Sequence, residues 1–319
     1  MLQYTSMALF VLVFKLIAPI FIIVFLGAFL RYRGMLTDRF VTTASQLTFQ
    51  TALPALVFLK IAKAPLHELA TFNLVWAALL ALALYSLGLV LLSHYYRPNQ
   101  AVFIQAGFRS NFGIIGLSIA WLLWGNIGLS QAALLLAFIS PLYNVGSIVV
   151  FNYYNPQTNG PSYWQSFVKT PMLWGALLGI AFAYYNWGIS PVAEQTLQYL
   201  GALALPLALI GIGATCTKET ILSLSWVHAV VCGLKLIIAP ALAVGIGLAL
   251  GLSGLDLGVL FLLMATPTAV ASFIVAQSLN GDVKLASSLV VMTTILSSIT
   301  LPIGITLLVY GGWISLPGF

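Results

Sequence analysis

The chain has 319 residues, 61% hydrophobic and only 6% charged, with a net charge of +6. About a quarter of the residues in a soluble globular domain are charged, so this composition excludes one. The basic excess does not point to nucleic acid either, because it alternates from loop to loop along the chain.

Ten apolar stretches, each long enough to cross ~30 Å of hydrocarbon, are expected near 8–30, 40–59, 72–93, 101–124, 131–151, 167–187, 195–216, 226–251, 256–279 and 285–311. The first is too long for the core of a cleaved signal peptide and lacks a basic start. It runs through Gly27-Ala28-Phe29-Leu30 straight into Arg31-Tyr32-Arg33, as a membrane span does. Loops after odd-numbered spans carry Arg31, Arg33, Arg39, Arg97, Lys169, Lys218 and Lys284, whereas those after even-numbered spans carry only Lys60 and Lys63. The positive-inside rule makes the odd loops cytoplasmic and puts both termini outside.

Span 4 contains RSNFGIIGLSIA (109–120), with Ser110-Asn111 followed by Gly113 and Gly116. After span 5 comes NYYNPQTNGPSYWQSFVK (152–169), the one long polar connection, which divides the chain into 1–151, a cytoplasmic linker at 152–166, and 167–319. The halves match at landmarks 152 residues apart: Pro19 and Gly27 recur as Pro171 and Gly179, and Pro54 recurs as Pro206. Each half holds an odd number of spans, so the second enters the bilayer upside down, an architecture common among secondary transporters. Cys216 and Cys232 make no disulfide framework.

Span 9 carries Thr266-Pro267-Thr268 where span 4 carries its own break. Interrupted segments at corresponding positions of two halves are the strongest sequence pointer to a transport site. Each break creates a half-helix N-terminus with free N–H groups and a positive dipole end. If the two breaks cross at the midplane, the ends converge on a place that suits an anion. The bland alternative is a pair of ordinary kinks, which membrane helices tolerate.

The expected fold is therefore an all-α membrane protein of ten helices in two inverted five-helix repeats, with broken helices 4 and 9 crossing at the midplane. Arg109, Asn111, Phe112, Gly113, Thr266, Pro267 and Thr268 form the candidate substrate site. Asn111 can donate to a carboxylate or cap the second half-helix. Thr266 and Thr268 can bind substrate or re-satisfy backbone beside the proline. Arg109 can attract an anion from the end of the first half-helix, or snorkel to the cytoplasmic interface. Lys235, deep in span 8, needs a partner at that depth, and carbonyls freed by the span 9 break are the expected one. Direct contact with substrate ranks second. His228 reads as a satisfied packing histidine, and it joins Lys235, Asn144, Pro54 and Pro206 in a structural or coupling group. All six acids (Asp38, Glu68, Glu194, Glu219, Asp256 and Asp282) fall in loops or at span ends, so sodium and proton coupling both stay open. No cofactor, metal or nucleic acid is expected.

FRSNFGIIGLSIA (108–120), ALPLALIGIGAT (204–215), LKLIIAPAL (234–242), ATPTAVASFIVA (265–276) and SSLVVMTTILSSITLP (287–302) together resemble the auxin efflux carrier family of membrane transporters. The resemblance implies the fold of the bile-acid sodium symporters. Spans 1, 2, 6 and 7 would form a scaffold, and spans 3–5 with 8–10 a transport domain that moves past it like an elevator. It also implies frequent homodimers and, in bacterial members, small organic acids such as malonate. This chain departs from the pattern at Ser118, where many relatives carry proline, and it lacks the long cytoplasmic loop of some plant members. The first departure leaves the span 4 break resting on Asn111, Gly113 and Gly116, and the second points to a short, bacterial-type carrier of the inner membrane. The expected function is secondary transport of a small organic anion, a carboxylate by preference. The alternative is a membrane sensor that binds the same ligand without cycling.

Overall fold

The computed structural model describes residues 6–64, 72–97, 99–155, 163–215 and 225–316. Glu68, Cys216, Lys218, Glu219 and the middle of the expected linker (156–162) lie outside the described residues.

Hydrocarbon offers no hydrogen-bond partners, so a chain this apolar must satisfy its backbone internally, and helix achieves that. Helices α1 (Ser6–Tyr32), α2 (Asp38–Leu47), α3 (Leu53–Ala62), α4 (Phe72–Ser93), α5 (Gln100–Phe108) and α6 (Leu117–Tyr154) make up the first half. The second half contains α7 (Tyr163–Val168), α8 (Pro171–Tyr184), α9 (Pro191–Ala214), α10 (Trp226–Gly233), α11 (Ala239–Ala249), α12 (Gly254–Ala265), α13 (Ala271–Ser278) and α14 (Val283–Tyr310). Among the described residues, six stretches are long and apolar enough to cross a membrane: Met7–Tyr32, Phe72–Tyr96, Phe112–Tyr154, Pro191–Ala214, Trp226–Ala249 and Val283–Tyr310. Pro171–Tyr184 and Gly254–Ala265 are apolar but shorter. Among the described residues there is no β-strand, only one isolated bridge.

Two features differ from the expected pattern of separate spans. No loop divides the stretches at 101–124 and 131–151. Helix α6 runs through, and Gly125 alone leaves helical geometry (φ 63°, ψ −144°). A Cβ on Gly128 would lie 2.6 Å from the Ala120 carbonyl oxygen, whereas residues eight apart in a straight helix are separated by about 12 Å. The chain therefore folds back at Gly125, and one glycine with positive φ replaces the expected loop.

The second difference is a pair of π-helical turns, Thr48–Ala52 before α3 and Leu234–Ile238 before α11. Each ends two residues before a proline, Pro54 or Pro240. A proline deprives the carbonyl four residues earlier of its partner and crowds that turn, and a wider turn relieves the clash. Lys235 sits inside the second of these turns.

Packing falls into two groups. Helix α1 lies along α9, while α3 packs on α8 and α9. Helix α4 packs against α5, α11 and α12, and α14 packs against α10 and α13. Helix α6 touches members of both groups, and α1 also packs directly against α14. The α1–α9 crossing is set by two glycines: a Cβ on Gly213 would fall 2.7 Å from the Ala28 nitrogen and closer still to the Val24 carbonyl. One on Gly27 would meet the Ile210 Cα at 2.9 Å. Small residues at such crossings let membrane helices approach closely enough to gain dispersion energy.

Candidate functional site

The construction begins with what Pro267 lacks. Helix α12 ends at Ala265, and Thr266 turns extended (φ −65°, ψ 147°) while its N–H still reaches Leu262 O at 3.2 Å. Pro267 has no N–H to give to Leu263. The next two N–H groups leave the helix altogether. Thr268 N–H goes to Thr293 Oγ1 on α14 (3.1 Å), and Ala269 N–H goes to the carbonyl of Arg109 (2.9 Å). The carbonyls of Met264 and Ala265 thereby lose their i+4 donors.

A second opening faces this one. Helix α5 ends at Phe108, Arg109 is extended (φ −82°, ψ 96°), and a π-helical turn at Phe112–Gly116 restarts the helix that continues as α6. Asn111 N–H donates to Pro267 O at 2.7 Å, and Ser110 pairs with Thr268 as an antiparallel bridge. The Asn111 carbonyl accepts from Ile115 N–H at 3.0 Å and so begins the second helical piece. Each opening thus satisfies part of the other's backbone, which is what a non-helical segment away from water requires.

Side chains satisfy two of the released carbonyls. Thr268 Oγ1 donates to Ala106 O at 2.7 Å. Lys235 Nζ donates to Met264 O at 3.1 Å and to Ser110 Oγ. Lys235, Thr266 and Thr268 are all 0% exposed. Replacing Thr268 with Val preserves shape but orphans the Ala106 carbonyl. We expect Thr268→Val to cost about 1–3 kcal/mol, read as a lower melting temperature of the purified protein. Thr268→Ser, which keeps the hydroxyl, should recover most of that loss.

Arg109 is half-buried and turned toward α6. Its guanidinium donates to Tyr143 O (3.2 Å), Ser147 Oγ (3.0 Å) and Asn144 Oδ1 (2.8 Å), all on α6. Asn144 Nδ2 in turn donates to Thr170 Oγ1 (3.2 Å), the residue that precedes α8. His228 stands apart from this network. Its Nδ1 accepts the Ser225 N–H (3.1 Å), so Nε2 carries the proton and donates to Ser288 Oγ (2.6 Å). Pro54 packs its carbonyl against Gly175 of α8, and Pro206 lies inside α9.

Several polar groups near the two openings have no partner. Asn111 Nδ2, Thr266 Oγ1, Ser272 Oγ and both polar atoms of Gln105 are buried and form no hydrogen bond. Asn111 is only 2% exposed. Phe112, Gly113 and Pro267 are likewise enclosed.

A cavity of about 570 Å³ lies between α1, α3, α9 and the two arms of α6. Of the sequence-predicted site residues only Pro206 lines it, and its nearest approach to the opening along α6 is Ser118. Its polar lining comes from Lys60, Asn126, Gln198 and Ser118. Sequence reasoning missed these as a group. Lys60 and Asn126 meet at 2.9 Å across 66 residues, and no local pattern announces that pairing. The one available signal was a lysine at the end of an apolar span with no acid nearby in sequence.

Residues 157–305 match the family described as membrane transport protein. The chain is 26% identical over 298 residues to an uncharacterized transporter of Methanothermobacter thermautotrophicus, covering 90% of this chain and 95% of that one. It is 20% identical over 307 residues to an uncharacterized transporter of Methanocaldococcus jannaschii, covering 93% and 97%. These similarities bear out the resemblance to the auxin efflux carriers, and the proteins matched are transporters rather than enzymes.

Proposed function

We propose that the chain is a membrane transporter of the auxin efflux carrier kind and that it carries a small organic anion, a carboxylate, by alternating access. The observation that carries this reading is the mutual pairing of the two interrupted helices. Asn111 N–H on Pro267 O and Ala269 N–H on Arg109 O tie them together in the interior. Paired half-helix ends supply positive dipole character where an anion loses its water, and the unpartnered amide of Asn111 lies at that junction.

The two packing groups support an elevator. Helices α1, α2, α3, α8 and α9 form the proposed scaffold, and α4–α6 with α10–α14 the proposed transport domain, in two inverted five-helix repeats. Lys235 then braces the crossing, and Arg109, Asn144 and Thr170 link it to the scaffold. The alternation of basic loops supports an orientation with both termini outside a bacterial inner membrane. If movement is uncoupled, an inside-negative potential favours expulsion by ~2.3 kcal/mol per charge per 100 mV.

The test compares small carboxylates with their neutral amides. A ligand that binds the folded state raises its melting temperature, and flux into proteoliposomes then separates a carrier from a sensor. We expect one acid to stabilise the protein and cross the membrane saturably while its amide does neither. Stabilisation without flux identifies a sensor, and stabilisation by neutral or cationic compounds alone overturns the anion assignment.

A further inference from the structure

A lysine fully enclosed among apolar helices needs a counter-charge, and Lys235 has none among the described residues. Its ammonium meets only neutral oxygens, Met264 O at 3.1 Å and Ser110 Oγ. Arg31 and Lys63, by contrast, pair with Asp38 and Glu194. The other described acids are engaged elsewhere: Asp256 accepts from Gln131, and Asp282 caps α14 through Leu285 N–H at 2.9 Å. Two dipoles do not repay the hydration that an ammonium gives up in a membrane interior.

The placement of this charge is specific. Ser110 belongs to one interrupted segment and Met264 to the other, so a single ammonium bridges both openings. Ser110 directly precedes Asn111, whose Nδ2 is buried without a partner. Met264 lies just before Ala265 and Thr266, and Thr266 Oγ1 is likewise buried and unpartnered. An ammonium has three donors, and the bonds to Ser110 and Met264 use two of them. Arg109, the other cation of this region, turns its guanidinium to Tyr143 O, Ser147 and Asn144 on α6.

The same oxygens bear on coupling. A carbonyl and a hydroxyl beside a helix break are hard donors of the kind an inorganic cation takes up. Here the ammonium already holds them. Lys235 is tethered to the π-helical turn Leu234–Ile238, so this cation arrives with the fold and draws on no ion gradient.

We propose that the Lys235 ammonium is the counter-charge of the carried carboxylate: it makes the crossing select an anion, and it stands where a coupling metal ion would otherwise be needed. The inference rests on the anion-carrier reading and names the residue that sets its charge selectivity. Half-helix ends favour an anion only modestly, since each carries about half a charge. A full charge in an interior that screens poorly separates an acid from its amide by about ten-fold or more.

The experiment measures equilibrium binding of acetate, malonate and benzoate, each beside its amide, to the purified full chain. Wild type is compared with Lys235→Met, which keeps most of the side-chain length without the charge, and with Lys235→Ala. The melting temperature without ligand reports the folding of each. Wild type should bind at least one of these acids about ten times or more tightly than its amide, equally in sodium chloride and in choline chloride. Lys235→Met should bring that acid and its amide within a few-fold of each other and leave the amide affinity unchanged. In Lys235→Ala, propylammonium should restore the preference for the acid, whereas 1-propanol, of similar size and uncharged, should not. That rescue decides the matter if Lys235→Met folds poorly. An acid preference retained in Lys235→Met, or restored equally by 1-propanol, leaves Lys235 a brace and overturns the inference. A wild-type preference that vanishes without sodium overturns it too. Each of these results leaves the anion reading intact. No preference for any of the acids in wild type sinks the anion reading and the inference together.

Discussion

Asn111→Ala should reduce carboxylate flux at least ten-fold while the protein melts at or above the wild-type temperature. The side-chain nitrogen of Asn111 is buried and unpartnered, so its removal breaks no internal hydrogen bond. An unsatisfied buried donor costs about 1–3 kcal/mol, so truncation relieves a penalty that roughly offsets the packing it loses. The backbone N–H of Asn111, which holds Pro267 O, is untouched by the substitution. If the amide donates to the substrate carboxylate, the lost bond is charge-assisted and worth about 1.5–3 kcal/mol, or about ten-fold or more. Flux in proteoliposomes and melting in detergent together decide the role. A fall in both, in proportion, would mean that Asn111 only caps the second helical piece. Unchanged flux would remove it from the site.

Gly213→Ala should lower the melting temperature sharply, whereas Gly211→Ala, two residues away, should leave it unchanged or raise it slightly. A methyl group at Gly213 points at the backbone of α1, at Ala28 N and Val24 O, and backbone cannot rotate aside as a side chain can. Relief requires α1 and α9 to separate along their whole crossing. Overpacking commonly costs about 1–3 kcal/mol, and the absence of a flexible neighbour puts this case at the upper end. Nothing lies within 4 Å of a Cβ on Gly211, so alanine there gains helix propensity of about 0.5–1 kcal/mol without a clash. Equal melting temperatures for the two variants would show that the close approach of α1 and α9 does not hold in the membrane.

The two differ in how far sequence foretold them. Gly27 was visible as a landmark of the repeat, matched with Gly179, but its contact is with Ile210 and its counterpart at the crossing is Gly213. Periodic landmarks report that two segments are alike, not which segments touch. The same holds for Lys235. Its depth demanded a partner, and carbonyls freed in span 9 were the expected one. Met264 O is such a carbonyl, whereas the second acceptor, Ser110 Oγ, comes from span 4.

What the sequence by itself determined is the class of molecule: helical, membrane-embedded, with particular places where helix cannot continue. Those follow from local chemistry, because an apolar run must satisfy its own backbone and a proline cannot. The tertiary structure decided which orphaned groups meet. Pro267 O could have found any donor, and only the approach of the Phe112–Gly116 turn to α12 offers it Asn111 N–H. No local pattern names the partners of Arg109, and the packing of α6 presents it with three neutral acceptors. The cavity beside Lys60 is the extreme case, since its lining comes from segments far apart in the chain. A void between packed helices depends on how their surfaces fail to fit, a property of pairs of helices that no single stretch of sequence carries.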